Sequence, residues 1–533
     1  MVEKDLRSPR ELEQLMRPAA TPGITFAELC SRLEVGSRSE NQNASVQLSG
    51  VSMNPQLVLP GDLFLAIAGA NRHGAEFAAT ALEHGAVAIL TDQAGYDILG
   101  PAVEVPVAIT ENVRALAGPA ARMIYGTTDG APELFGVTGT NGKTTTTFMI
   151  QSLLEALSRP CGIVGTIEIS ARGQIIPSVL TTPEATQLHA IVANMEQQGV
   201  GHIAMEVSSH SLSYGRVDGL RFAVAGYTNL TQDHLDLHGS MEEYFATKAA
   251  LFTAQRAQRA VVMVDDEYGQ RLAENAEIPT LSLSLDAHHP TAQWRVQDVT
   301  VEKLGHRFVL RNRQGAELRA HTALPAMFNV ANAALAVLMV HASGVALEDL
   351  QAALDAHDPL SVAVPGRMQV IGHEPVAVVD FAHNSDALVK ALESMRPGPG
   401  GRRIVVFGAT GERDKTKRPD MGRVAAEHAD IVIVTDDDPH GEDPAPIREQ
   451  VAAGARQAIA VSGRAVQLLN VAPRAAAIDK AVELAGVSDA ILIAGRGHEV
   501  SQEVAGVDLE LDDRTELSAA LTRRGFVTVA THA

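Results

Sequence analysis

The chain has 533 residues, 46% hydrophobic and 20% charged, so it must hold more than one core and is globular rather than disordered. A formal net charge of −21 excludes a broad basic face for nucleic-acid phosphates, although single loops and lysines can still oppose that field toward small anions. Cys30 and Cys161 lie far apart in sequence and form no metal or redox spacing. The N-terminus lacks an apolar signal core and no apolar run approaches a membrane span, so a cytoplasmic protein without membrane insertion is expected.

Three blocks follow along the chain. Residues 1–125 carry VLPGDLFLAIAG, with a turn at Pro60-Gly61, and then a helical stretch with AATALEHGAVAILTD, an α/β pattern. Residues 126–357 open on GVTGTNGKTTTT at 136–147. Leu134, Phe135 and Val137 read as the end of a short buried strand, and Ile150, Leu153, Leu154 and Leu157 repeat at helical spacing. Strand, glycine loop and helix N-terminus make an anion site for nucleotide phosphates, covering Gly139, Thr140, Asn141, Gly142, Lys143, Thr144 and Thr145. Lys143 supplies a point charge and Thr144 a hydroxyl for a Mg²⁺ shell. The spacing departs from G-x-x-x-x-G-K-[ST], which would place Val137 at the first glycine.

Further apolar runs at His202–Met205, Ala223–Ala225 and Val261–Val264 alternate with helical stretches, which predicts a largely parallel sheet. HDPLSVAVPGR, around 357–367, reads as a linker to residues 358–533. There, short strands are expected at Val376–Val379, Ile404–Phe407, Ile431–Val434 and Ile491–Ala494.

Polar clusters follow these strands: Glu206 after Met205, GYTNLTQDHLDLHG after Ala225, and DFAHNSD, GATGERD, TDDDPHGED and GRGHE in the third block. Ligands of open α/β sheets bind outside the carboxyl ends of strands, so a site assembled between domains is expected.

On these residues the chain resembles the Mur ligases, ATP-dependent amide-forming enzymes of peptidoglycan stem-peptide synthesis. TGTNGKTT at 138–145, MEVSSHSL at 205–212, TNLTQDHLDLHG at 228–239, FNVANA at 328–333, PGRM at 365–368 and DFAHNSD at 380–386 are similar to that family's motifs, in order. KRPDMG at 417–422 and GRGHE at 495–499 resemble the branch that adds the third stem residue. The resemblance implies an α/β fold of three domains: UDP-sugar-binding at 1–125, a central P-loop parallel-sheet ATPase at 126–357, and a Rossmann-like amino-acid-binding domain at 358–533.

Joining a carboxylate to an amine in water is uphill, so the carboxylate must first become an acyl phosphate, and cations must neutralise its approach to the γ-phosphate. Thr144 and Glu206 suit one Mg²⁺ and His234 a second; the resemblance implies the same roles. With Lys143 as a catalytic residue, it also implies that Lys248 carries a CO₂-derived carbamate. Thr181, Thr182, Ser208 and Arg216 resemble the residues that hold the UDP-N-acetylmuramoyl dipeptide, and Asn329, Arg367 and His383 those on the ATP side. Pro55 replaces a usual uridine-binding serine, so no uridine contact is assigned, and Phe381 and Asn384-Ser385 replace the commoner Tyr and Thr-Pro.

The reaction implied is addition of an amino acid to UDP-N-acetylmuramoyl-L-alanyl-D-glutamate. Diaminopimelate-adding relatives usually carry Asp-Asn-Pro-Arg, whose arginine can grip a distal carboxylate. This chain reads Asp437-Asp438-Pro439-His440 there, flanked by Asp436, Glu442 and Asp443. Arg413, Gly495 and Glu499 remain for the α-carboxylate and α-amine. L-Lysine, or ornithine, is therefore expected over meso-diaminopimelate. A folylpolyglutamate synthetase-like ligase and a non-catalytic nucleotide-binding scaffold are the alternatives. The block of about 125 residues before the glycine loop opposes the first, and retention of Lys143, Glu206, His234 and Lys248 opposes the second.

Overall fold

A computed structural model describes residues 7–37, 45–100, 103–233, 235–412 and 414–529. Among them, three sheets carry the architecture. The first orders its strands Gly36–Ser37, Val107–Ile109, Ala88–Thr91, Asp62–Ala66 and Gly50–Ser52, all parallel except the first pair. The helical stretch expected across AATALEHGAVAILTD breaks in the middle. Helix Ala78–Glu83 is followed by Gly85 at φ +107, and Ala88–Thr91 is a buried strand. A left-handed φ suits glycine and ends a helix.

The second sheet has eleven strands. Its centre is parallel, in the order Cys161–Val164, His202–Glu206, Glu133–Thr138, Phe222–Tyr227, Ala257–Met263 and Thr280–Ser284. Beyond the next strand, Trp294–Glu302, an antiparallel meander runs through Gly305–Asn312 to Glu317–Thr322, and Glu168–Ala171 with Gln174–Pro177 closes the other edge. Parallel pairing continues from Thr280–Ser284 to Trp294–Glu302, so the sheet is largely parallel, as expected, with antiparallel edges. Phe222–Tyr227, in the middle of the sheet, is buried throughout, whereas Glu317–Thr322 alternates less and more buried residues, as a one-sided antiparallel strand does. Helices Lys143–Ala156 and Met327–Ala342 share one apolar cluster on the sheet, while Ala185–Gln197 and Met241–Ala249 contribute to a second.

The third sheet orders Gln369–His373, Val376–Asp380, Ala490–Ala494, Arg403–Phe407, Ile431–Val434 and Gln467–Asn470, parallel but for the first pair. Between it and the central sheet the chain runs from helix Leu347–His357 through Asp358, Gly366 and Met368, all at positive φ.

Candidate active site

Three central strands lie side by side, so their carboxyl ends deliver Thr138, Glu206 and Tyr227 to one rim. The glycine loop leaves the middle one. Gly139 adopts φ +142, and a Cβ there would lie 1.8 Å from Thr228 Oγ1; Gly142, at φ +94, caps the following helix. Neither position has room or backbone freedom for a side chain. Thr140 N–H donates to the Asn229 carbonyl, and Asn141 N–H to Asn229 Oδ1, so the third strand's loop braces the glycine loop.

Lys143 Nζ donates to the carbonyls of Gly139 at 3.0 Å and Thr140 at 2.8 Å, and its burial lowers its pKa. Thr144 Oγ1 donates to Glu206 Oε2 at 3.0 Å, while Thr166 gives Glu206 its N–H at 2.7 Å and its hydroxyl at 3.1 Å. Lys248, in helix Met241–Ala249, is 1% exposed. Its Nζ donates to the Gly139 carbonyl at 2.9 Å and lies 4.7 Å from the centre of the Tyr244 ring. Burial, and secondarily the nearby Lys143 charge, hold its pKa well below the lysine range.

Beside this rim, Thr182 Oγ1 donates to the Glu206 carbonyl, and Ser208 N–H donates back to Thr182 Oγ1. Thr181 Oγ1 lies 3.1 Å from Thr166 Oγ1. Arg216 pairs with Glu184 at 2.9 Å and reaches the Thr182 carbonyl.

The third sheet presents its own carboxyl ends across the cleft. Helix Ser385–Ser394 puts Asp386 Oδ2 3.5 Å from Asn141 Nδ2, and His383 Nε2 lies 3.9 Å from Asp233. Burial lowers the His383 pKa. A cavity of about 120 Å³ lies between, lined in part by Gly142, Asn332, Phe328, Arg367 and His383. Arg367 is stacked 4.3 Å from the Phe381 ring, and its Nη1 lies 3.4 Å from His498 Nδ1.

Deeper along that edge, Asp437, Asp438, Gly495 and Glu499 come together. Arg496, fully buried, bonds Asp438 and lies 3.5 Å from Glu499. Burial, reinforced by Asp437, raises the Glu499 pKa to about 8. Arg474 and Asp513 form a fully buried pair at 2.7 Å; Arg474 also donates to the carbonyls of Asp436 and Ala494, pinning the loops that carry Asp437 and Gly495. His440, at φ +51, pairs through Nδ1 with Glu503 at 2.7 Å.

Residues 47–122 match the Mur ligase family catalytic domain, 137–340 the Mur ligase middle domain, and 366–497 the Mur ligase glutamate ligase domain. A relative from Corynebacterium glutamicum, UDP-N-acetylmuramoyl-L-alanyl-D-glutamate--2,6-diaminopimelate ligase, is 44% identical over 87% of this chain and 89% of its own. The UDP-N-acetylmuramyl-tripeptide synthetase of Leifsonia xyli subsp. xyli is 42% identical over 90% and 93%. A solved UDP-N-acetylmuramoyl-L-alanyl-D-glutamate--2,6-diaminopimelate ligase superposes with TM-score 0.64 at 30% identity, covering 95% of this chain and all of that one. The chain belongs to the Mur ligase family.

In this Mur ligase the residues expected from sequence fall into three groups, one of them Arg367 and His383 at the small cavity. Gly139 to Thr145, Glu206 and Lys248 share the phosphate-loop rim, with Thr181, Thr182, Ser208 and Arg216 beside it. Asp437, Asp438, Gly495 and Glu499 cluster beyond the ends of the third sheet's strands, with Gly495 so close to Asp437 that a Cβ would meet Oδ2 at 2.6 Å. Asn329 stands apart: it is buried, bonded to the Pro325 carbonyl and to Asn332, and Asn332 rather than Asn329 lines the cavity. His234 and Arg413 lie outside the described residues. Sequence reasoning missed Thr166, Glu184, Arg474, Arg496 and Glu503. Arg496 sat inside the GRGHE motif and could have been found; the others reach the site only through tertiary contacts.

Proposed function

We propose that the protein joins an amino acid to UDP-N-acetylmuramoyl-L-alanyl-D-glutamate with ATP, through an acyl phosphate, releasing ADP and phosphate. The observation that carries this is the opposition, across one cleft, of a phosphate loop and a loop edge rich in carboxylates with a buried guanidinium. Thr144 and Glu206, two hard oxygen donors 3.0 Å apart, suit Mg²⁺, which takes few protein ligands and keeps phosphate and water for the rest. Among the described residues no three or more His, Cys, Asp or Glu are grouped as for a metal, consistent with so sparse a ligand set. His234 and a carbamate on Lys248 are proposed for a second ion. Bound there, Mg²⁺ neutralises phosphate charge.

The chain's own residues do the rest. Lys143, released from the Gly139 and Thr140 carbonyls, turns to the γ-phosphate. Thr182, Ser208 and Arg216 hold the sugar-nucleotide peptide, so that its carboxylate attacks the γ-phosphorus and ADP leaves. Arg413 and Glu499 hold the α-carboxylate and α-amine of the incoming amino acid; the amine gives up a proton, attacks the acyl carbon and displaces phosphate. Arg367 and His383 close over the nucleotide. ATP and sugar nucleotide as substrates favour the cytoplasm, and among the described residues no helix is long and apolar enough to cross a membrane.

For the acceptor we propose lysine or ornithine, because Asp437 and Asp438 sit on a loop whose neighbouring Arg496 is already paired. The names of relatives favour a second reading, 2,6-diaminopimelate. Phosphate release with the sugar nucleotide and lysine, ornithine or meso-diaminopimelate tests both. Turnover indifferent to the sugar nucleotide would refute the ligase reading, and a clear diaminopimelate preference would refute the lysine one.

A further inference from the structure

By its resemblance to the Asp-Asn-Pro-Arg motif, His440 stands where diaminopimelate-adding relatives usually carry arginine, and its imidazole is held by Glu503, with Nδ1 2.7 Å from Oε2. Glu503 lies in a two-stranded hairpin, Ser501–Val504 against Val507–Glu510. The hairpin backbone is fastened to the acidic loop: Glu503 N–H donates to Asp438 Oδ1 at 3.1 Å, His440 N–H to the Glu503 carbonyl at 3.3 Å, and Ala505 N–H to the His440 carbonyl at 2.8 Å. Gln502 Nε2 donates to the Asp437 carbonyl. The main chain on both sides of Glu503 is thereby fixed, while its side chain stays 41% exposed. Among the described residues, Arg496 engages Asp438 and Glu499, and Arg474 engages Asp513.

We propose that Glu503 is a specificity-determining residue, pairing with the distal ammonium group of the acceptor amino acid. This rests on the lysine-type reading given above. His440 engages one carboxylate oxygen and orients the group, leaving the other to accept from the ligand. The same charge repels a distal carboxylate, so attraction and exclusion reside in one side chain.

The test is steady-state kinetics of wild type and Glu503→Gln with lysine, norleucine (the same chain without the ammonium) and meso-diaminopimelate. Glu503→Gln is expected to raise the KM for lysine about tenfold. The KM for norleucine, the KM for ATP and the thermal midpoint should stay unchanged. Glu503→Asp, which keeps the charge, should retain a preference for lysine over norleucine. Should the amide variant fold poorly, Glu503→Ala reads the same ratio without altering the backbone bonds. Unchanged use of lysine, or equal losses for lysine and norleucine, would overturn this role while leaving the lysine-type reading intact. A wild-type preference for meso-diaminopimelate would overturn that reading and this role with it.

Discussion

Lys248 shows how position alone changes a side chain's chemistry. At the end of helix Met241–Ala249 it could have been a solvated cation; instead it is buried beside Lys143, and desolvation favours the neutral amine that CO₂ requires. Lys248→Ala is expected to abolish phosphate release, with partial recovery on adding short-chain carboxylic acids. Full activity would refute a role for the lysine, and failure to recover would count against the carbamate. Glu499 carries a second prediction. Its pKa, raised to about 8, keeps it protonated over much of the neutral range, and its carboxylate is the form that binds an α-ammonium. The kcat/KM for the amino acid should rise with pH and level off above about 8, and Glu499→Gln should flatten that limb. A wild-type profile without the limb would refute the assignment.

Elements owe their placement to buried polar groups. Arg474 and Asp513 begin two helices on one face of the third sheet, and Arg474 carries the tie on to the Asp436 and Ala494 carbonyls. Removing one partner leaves an uncompensated buried charge. Asp513→Asn should cost about 3–5 kcal/mol in denaturant unfolding followed by circular dichroism, and a loss below about 1 kcal/mol would show that the pair is dispensable. Helix Ala185–Gln197 offers a comparable case at the other end of the molecule. His189 accepts from Thr127 Oγ1 at 2.6 Å, and its Nε2 meets the Asp218 carbonyl at 3.1 Å, fitting a neutral ring protonated at Nε2. Burial lowers its pKa to about 4, below the unfolded value of about 6.5. Its contribution is therefore present above about pH 6.5 and lost as pH falls toward 4. The melting temperature should decline across that window, and His189→Gln should make the decline shallower.

The whole molecule places its chemistry between two sheets joined by a short linker. Gly366, at φ +61, crosses the loop after Ala494 so closely that a Cβ would lie 2.1 Å from the Gly497 carbonyl carbon. The cavity of about 120 Å³ between the phosphate loop and the third sheet is smaller than the roughly 300–1,000 Å³ typical of ligand pockets. A nucleotide is therefore expected to enter as the sheets separate. A second cavity of about 1170 Å³, lined in part by Phe308, Leu324, Val364 and Met368, lies at the same junction. Small-angle scattering should show a changed radius of gyration on adding an ATP analogue with the sugar nucleotide. An unchanged radius would argue for a preformed site.

The phosphate loop was readable in sequence because its chemistry is local: Gly139, Gly142, Lys143 and Thr144 act through backbone shape and near neighbours. The apolar runs likewise marked the central parallel strands, since a strand buried on both faces must be apolar throughout. The edge meander escaped notice, and so did the break at Gly85, where one residue's φ separates a helix from a strand. Partner choice was not local either. Arg216 meets Glu184, Glu206 meets Thr166, and His440 meets Glu503 across 63 residues of sequence. Residue type announces what a group can bond to; only the packing of distant segments decides which donor reaches which acceptor, and how far burial moves each proton.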